Sequence, residues 1–168
     1  SAMVKTSFES QVRLGGSPLT WAMGMNRDLA RNTLSEQFAT AFLARIDPST
    51  GAMQYLVAGH VSPILIARGA QGGLHRPQVL AGHGFMLGIE EDLPFEERAA
   101  TFGLGDRLIL YTDGLVEVER EDRRLLGEEG LLRLCAELPG SEEATADFLV
   151  EEARTFNNRH PSWMTSPW

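Results

Sequence analysis

The sequence has little cysteine, no long apolar run and few positive charges. Its 168 residues include a single cysteine, Cys135, so no disulfide can form within the chain, as is common in the reducing cytoplasm. No segment reaches the roughly 18–20 consecutive apolar residues of a membrane helix, and no signal-peptide pattern opens the chain. These absences predict a cytoplasmic protein without a membrane segment.

Positive charge is outnumbered, with 15 Lys and Arg residues against 23 Asp and Glu residues and a formal net charge of -8. Nucleic acid is therefore not expected as a partner, because its phosphates bind basic faces. The length fits one domain. We interpret residues 1–168 as a single domain, with residues 1–3 left over from an expression vector.

Local patterns predict a helix, then strands, then helices. The first predicted helix covers Pro18–Asn32, with Ser17 as its cap and apolar residues recurring on one face. The predicted strands are 38–46, 53–58, 63–67, 95–102 and 107–112, and the last helices are 127–138 and 141–157. The apolar segment 107–112 is expected to be a central strand flanked by the hairpin of the first two strands. This order predicts an α+β fold with helices on a mainly antiparallel sheet.

The best local candidate for chemistry is Tyr111-Thr112-Asp113-Gly114. Asp113 directly follows the apolar segment, and a carboxylate at the rim of a dry sheet requires a counter-charge. Mg²⁺ or Mn²⁺ with oxygen ligands would supply it, and Gly114 would let the backbone approach the ion. A strand-end aspartate that caps a turn explains the same four residues.

The histidines and the remaining glycines give weaker signals. Gly59-His60 fits a catalytic histidine, but it equally fits a structural turn between two strands. His75, His83 and His160 show no zinc spacing with one another or with Cys135. The glycines Gly82, Gly84 and Gly88 do not match a dinucleotide fingerprint, and paired glycines in a loop are the simpler interpretation.

An ordered set of motifs resembles the bacterial SpoIIE/RsbU-type serine/threonine protein phosphatase domain, a metal-dependent class similar to protein phosphatase 2C. The set comprises the segments 25–29 (MNRDL), 38–41 (FATA), 46–47 (ID) with Gly51, 55–60 (YLVAGH) with Pro63, 87–89 (LGI), 104–108 (LGDRL), 111–114 (YTDG) with Glu117, and 126–127 (LG). The resemblance implies an α/β/β/α sandwich, here without the first strands, because this chain begins downstream of them. It covers about residues 18 to 165, the C-terminal two-thirds of the domain.

The resemblance also implies an activity and a metal. Members hydrolyse phosphoserine or phosphothreonine with two Mn²⁺ or Mg²⁺ ions in a cleft, and Asp113 matches a metal ligand with Gly114 beside it. The substrate is commonly an anti-anti-sigma protein, so the expected role is sigma factor control in bacterial stress or signalling.

Two departures from the family pattern leave a second function open. The early Gly-Asp-x-x-Asp motif is not in this chain, and the position of the terminal Asp-Asp motif is occupied by Ser162 and Trp163, which cannot replace carboxylates. The alternative is an inactive phosphatase-like domain that binds a regulatory partner. Without the first strands a sheet edge is expected to be open, which favours a homo-oligomer.

Overall fold

The computed structural model describes residues 2–32, 38–68, 76–138 and 145–158. The helices are α1 (Ala2–Leu14), α2 (Pro18–Asn32), α3 (Asp113–Val116), α4 (Gly127–Ala136) and α5 (Thr145–Asn158). The strands are β1 (Ala41–Ile46), β2 (Ala52–Ala58), β3 (Ile64–Ile66), β4 (Gln78–Val79), β5 (Glu97–Thr101) and β6 (Arg107–Ile109). The chain divides into two compact units, residues 1–62 with 81–104 and residues 63–80 with 105–168. That they form one domain remains a prediction.

The first unit contains an antiparallel sheet in the order β1-β2-β5. The turn between β1 and β2 forms where the sequence predicts it. The Asp47 carboxylate accepts hydrogen bonds from the Ser49 backbone N–H at 2.8 Å and the Ser49 hydroxyl at 2.6 Å. Gly51 has φ +71°, a conformation that glycine adopts without strain, and its N–H donates to the Asp47 carbonyl at 2.8 Å. This turn fixes the register of the hairpin.

Helix α2 provides the main core of the first unit, and its predicted bounds are confirmed. Its apolar face and the sheet share the buried residues Trp21, Ala22, Met25, Leu29, Leu43, Leu56 and Leu87. The helix start differs from the prediction in one detail. The Thr20 hydroxyl accepts from the Ser17 N–H at 2.9 Å and donates to the Ser17 carbonyl at 2.8 Å. The bonding hydroxyl is thus that of Thr20 reaching back, as in a capping box.

Helix α1 packs on α2, and the sequence patterns did not predict it. The buried Ser7 hydroxyl donates to the Asp28 carboxylate at 2.5 Å, and Phe8 meets Trp21 edge-on with ring centroids 6.1 Å apart. A Cβ on Gly24 would lie 2.1 Å from the Gln11 side chain. Gly24 therefore leaves room for the end of the Gln11 side chain between the two helices.

The segment before Leu87 lies close against the end of β2. A Cβ on Gly84 would lie 2.3 Å from the Val57 carbonyl oxygen, and one on Gly82 would lie 2.6 Å from a Val57 methyl group. Leu87 and Ala39 exchange backbone hydrogen bonds of 2.8 and 2.9 Å. Close backbone approach is therefore the reason for the paired glycines, which the sequence had suggested only as loop residues.

The second unit contains a smaller antiparallel sheet in the order β4-β3-β6. The prediction for 107–112 is wrong in two respects. The strand ends at Ile109, and its partner is β3 rather than the β1-β2 hairpin, which belongs to the other unit. Ile109 pairs with Ile64, and the residue before Ile64 is Pro63, which has no N–H to extend the ladder.

Helices α4 and α5 share a core with β3. Its buried members are Ile64, Ile66, Leu131, Cys135 and Leu149. The predicted helices are confirmed over Gly127–Ala136 and Thr145–Asn158, whereas the predicted Ser141 cap lies outside the described residues. Among the helices described, none is both long and apolar enough to span a membrane.

Candidate functional site

Asp113 is the first residue of α3, four residues beyond the observed end of β6. Thr112 precedes it in an extended conformation, and the backbone then turns, with the Leu115 N–H donating to the Thr112 carbonyl at 3.0 Å. The Asp113 side chain is exposed, and its Oδ1 accepts from the Gly114 N–H at 2.9 Å. One oxygen is thus engaged locally in the turn, as the simpler interpretation of this aspartate expects.

The chain's own atoms do not require a glycine at position 114. A Cβ built there would meet only the Thr112 hydroxyl, at 3.8 Å, which is an ordinary contact. Its φ is not in the positive region that favours glycine. Gly114 therefore leaves open space beside the Asp113 carboxylate, in contrast to Gly84, where packing explains the glycine.

Burial favours the neutral forms of two side chains in the second unit, the Tyr111 phenol and the Cys135 thiol. Burial raises the pKa of the Tyr111 phenol, and the charges of Glu128 and Cys135 add to the effect. Burial alone raises the pKa of the Cys135 thiol to about 11, so it is protonated at neutral pH. Cys135 is therefore a core residue and not a thiolate nucleophile.

The carboxylates of the described ranges do not fit a two-metal centre. Across residues 2–32, 38–68, 76–138 and 145–158, no group of three or more His, Cys, Asp or Glu side chains is placed to hold a metal ion. Two hard divalent ions need several charged oxygen ligands, and Asp113 supplies a single carboxylate. Ser162 and Trp163 lie outside the described residues, and neither has a carboxylate to contribute.

Gly59 and His60 lie in the first unit, at the end of β2. Gly59 has φ +63°, its N–H donates to the Gly84 carbonyl at 3.0 Å, and Met86 covers the place where its Cβ would be. His60 is half-buried. The glycine is explained by the turn and its packing, whereas a catalytic role for His60 remains untested.

Sequence patterns missed two buried polar residues that organise these units. Asn26, fully buried in α2, donates to the carbonyls of Glu90 and Glu91 at 2.7 and 2.9 Å and accepts from the Gly88 N–H at 2.8 Å. Arg107, 8% exposed in β6, donates to the Thr145 hydroxyl at 3.1 Å at the start of α5. A polar residue on an otherwise apolar face was the available signal in both cases.

Comparison with solved structures identifies the class of fold. The RsbU and RsbW domains of Rv1364c from Mycobacterium tuberculosis match with a TM-score of 0.70 at 23% identity, covering 91% of this chain and 42% of that one. The PP2C phosphatase domain of SpoIIE from Bacillus subtilis, solved with a fragment of its regulatory domain, also gives 0.70, at 22% identity over 93% of this chain and 44% of that one. The fold is thus α+β with antiparallel sheets, of the protein phosphatase 2C-like type.

The family follows from the sequence comparison. The model of the family "Stage II sporulation protein E (SpoIIE)" matches residues 1–162, so the chain belongs to the SpoIIE family. The phosphoserine phosphatase RsbU of Bacillus subtilis is 25% identical over 150 residues, which cover 82% of this chain and 42% of RsbU. The protein IcfG of Synechocystis is 28% identical over 115 residues, which cover 68% of this chain and 17% of IcfG. The chain spans less than half the length of these relatives.

Proposed function

We propose that the protein containing this chain removes phosphate from serine or threonine residues of a regulatory protein. The substrate is a small phosphorylated protein of the anti-anti-sigma type, and the setting is signalling in the bacterial cytoplasm. The observation that carries the proposal is the SpoIIE family match over residues 1–162. It is supported by the name of RsbU, a phosphoserine phosphatase, and by the RsbU and RsbW domains that occur together in Rv1364c.

Within this chain, Asp113 is the carboxylate we assign to the site. It is exposed at the start of α3, and Gly114 leaves space beside it that packing does not require. A bound Mn²⁺ or Mg²⁺ would supply a Lewis acid and an acidified water in such an enzyme. Because Asp113 alone does not fit two ions, we assign no metal-dependent step to the described residues.

One observation favours a second candidate function, a phosphatase-like domain that binds a phosphorylated regulatory protein without hydrolysing it. The described ranges contain no carboxylate cluster around Asp113, and Ser162 and Trp163 occupy the position of the family's terminal acidic motif. A domain that has lost its ion ligands can retain the surface that contacts the partner.

The experiment compares Asp113→Asn with wild type in the full-length protein at saturating Mn²⁺. Phosphate release from a phosphoserine regulatory protein is measured, together with binding of that protein. Loss of the ligand charge should lower phosphate release roughly tenfold or more, since loss of a residue that merely supports a metal ligand already costs about 10–100-fold. The matched control is Asp147→Asn, which makes the same change at an exposed position in the first turn of α5 and should have no effect.

The two candidates give different results. The enzyme is supported if the wild type releases phosphate and this release falls in Asp113→Asn but not in Asp147→Asn. Equal release from wild type and Asp113→Asn removes Asp113 from catalysis. Binding of the phosphorylated protein without any release, at the same affinity in both, supports the binding domain.

A further inference from the structure

Asp113 and Gly114 form a dipeptide whose two halves can react with each other. In an Asp-Gly pair the glycine nitrogen can attack the aspartate side chain, because glycine has no side chain of its own to hinder the approach. The sequence contains this one Asp-Gly pair and no Asn-Gly pair. Its other aspartates are followed by leucine, proline, arginine or phenylalanine. The sequence therefore singles out Asp113 among the aspartates.

The turn at Asp113 brings the two reacting groups together. The Gly114 nitrogen lies 2.9 Å from Asp113 Oδ1, so the carboxylate is already folded back onto the amide that would attack it. Gly114 is the second residue of α3, a position at which an N–H has no acceptor within its own helix. The nitrogen can therefore move onto Cγ of Asp113 without breaking a backbone hydrogen bond of the helix.

The surroundings of the pair leave room for the reaction. Thr112, Asp113 and Gly114 are all exposed, so water reaches the side chain and both peptide groups. A Cβ on Gly114 would meet only the Thr112 hydroxyl, at 3.8 Å. A five-membered ring that joins the Asp113 side chain to the Gly114 nitrogen would therefore meet no packed side chain.

Four other aspartates have side chains that are engaged elsewhere. Each accepts a hydrogen bond from a residue other than the one that follows it, which holds its carboxylate away from the next amide nitrogen. The donors are Ser7 for Asp28, Ser49 for Asp47, the Arg68 N–H for Asp106 and Arg120 for Asp122. The structure thus distinguishes Asp113 from these aspartates independently of the sequence.

We propose that Asp113 is a site of spontaneous isomerisation to isoaspartate. The Gly114 nitrogen forms a bond to Asp113 Cγ, while the proton of the nitrogen and the hydroxyl group of the carboxyl leave as water. The product is a succinimide ring. Water then opens the ring at one of its two carbonyl carbons, which either restores aspartate or gives isoaspartate. The reaction needs no oxidant, reductant or partner other than water.

Isomerisation changes the position of the carboxylate and the turn around it. In isoaspartate the main chain runs through Cβ and Cγ, and the former backbone carbonyl of Asp113 becomes the free carboxylate. That carbonyl accepts the Glu117 N–H at 2.9 Å in the structure, so the end of α3 changes as well. The modification does not rest on the proposed function, whereas its effect on phosphate release does.

The test is peptide mapping of this chain after incubation for several weeks at neutral pH and physiological temperature. Trypsin releases residues 108–120, in which Asp113 is the only aspartate. The isoaspartyl peptide has the same mass and a different retention time, and synthetic peptides of both forms identify the two peaks. We expect isoaspartate to accumulate several-fold faster at Asp113 than at Asp147, an exposed aspartate in the first turn of α5 that precedes Phe148.

Two further samples separate the contribution of the sequence from that of the structure. Gly114→Ala should form isoaspartate several-fold more slowly, because its methyl group hinders the attack, and circular dichroism verifies its fold. A free peptide of residues 108–120 has the same sequence without the turn. The proposal is overturned if Asp113 of the folded chain converts no faster than Asp147 while the free peptide does convert. Equal rates in wild type and Gly114→Ala also overturn it.

Discussion

The two units of the chain differ in how regular their sheets are. The strands of the first unit have 6, 7 and 5 residues, and a full helix face covers part of their surface. The strands of the second unit have 2, 3 and 3 residues, and its core is formed largely by residues of α4 and α5 around β3. The candidate carboxylate Asp113 belongs to the second unit.

Crowded glycines occur in both units, and Gly114 is not among them. In the first unit, a Cβ on Gly82 or Gly84 would lie 2.6 or 2.3 Å from Val57, and in the second unit a Cβ on Gly105 or Gly130 would lie 2.4 or 2.6 Å from the side chain of Arg68 or Leu126. Gly114, also in the second unit, has no such neighbour. Packing therefore accounts for these four glycines but not for Gly114, to which the proposed site gives a role beside the Asp113 carboxylate.

The largest expected effect tests this contrast directly. Gly84→Ala should lower the free energy of unfolding by about 3 kcal/mol, since the new methyl group would meet a backbone oxygen that cannot move alone. Gly114→Ala, the same change in the second unit, should leave stability unchanged or raise it by less than about 1 kcal/mol. Urea denaturation measures both. Similar losses in the two variants would contradict the packing explanation.

A second pair of variants asks whether the units unfold together. Leu56 and Leu131 are fully buried, one in each unit, and replacement of either by Ala should cost about 3 kcal/mol. If the chain is one domain, as its length predicts, both variants lower the midpoint of the same single transition. Two transitions in calorimetry, each shifted by only one of the variants, would show that the units are separate domains.

The smallest expected effect concerns pH. The pKa of the Asp122 carboxyl is lowered from 3.8 to about 2. The main cause is hydrogen bonding from the Arg120 guanidinium, and the hydrogen bond from the Arg124 N–H adds to it. A lowered pKa means that the pair stabilises the fold above pH 4 and that this contribution is lost as pH falls towards 2. NMR titration of this carboxyl should give a midpoint near 2. In Asp122→Asn, the part of the pH dependence of stability that comes from this pair should be lost. A midpoint near 4 would show that the ion pair does not form in solution.

Much of the fold could be predicted from local sequence patterns. The α2 helix, the Asp47–Gly51 turn, the β1-β2 hairpin and the C-terminal helices all follow from periodicity and turn chemistry, and the structure confirms them. The sheet to which 107–112 belongs could not be predicted this way, because an apolar segment does not specify its partner strand. The local clue to the early end of β6 was Pro63, which precedes Ile64, the β3 partner of Ile109.

The candidate site was less accessible from sequence alone. The resemblance singled out Asp113, but local pattern could not decide between a metal ligand and a turn residue, and its hydrogen bond with Gly114 is compatible with both. The roles of Asn26 and Arg107 depend on residues 62 to 65 and 38 positions away. Contacts of such sequence separation leave no periodic signal.

The most direct test of the central claim is Mn²⁺ binding to this chain by calorimetry. The claim is that a chain of the phosphatase family places Asp113 at its candidate site without the further carboxylates that two ions need. We expect weak binding or none, and no difference between wild type and Asp113→Asn. Two tight sites that disappear in Asp113→Asn would contradict the claim, and would mean that residues outside the described ranges complete the centre.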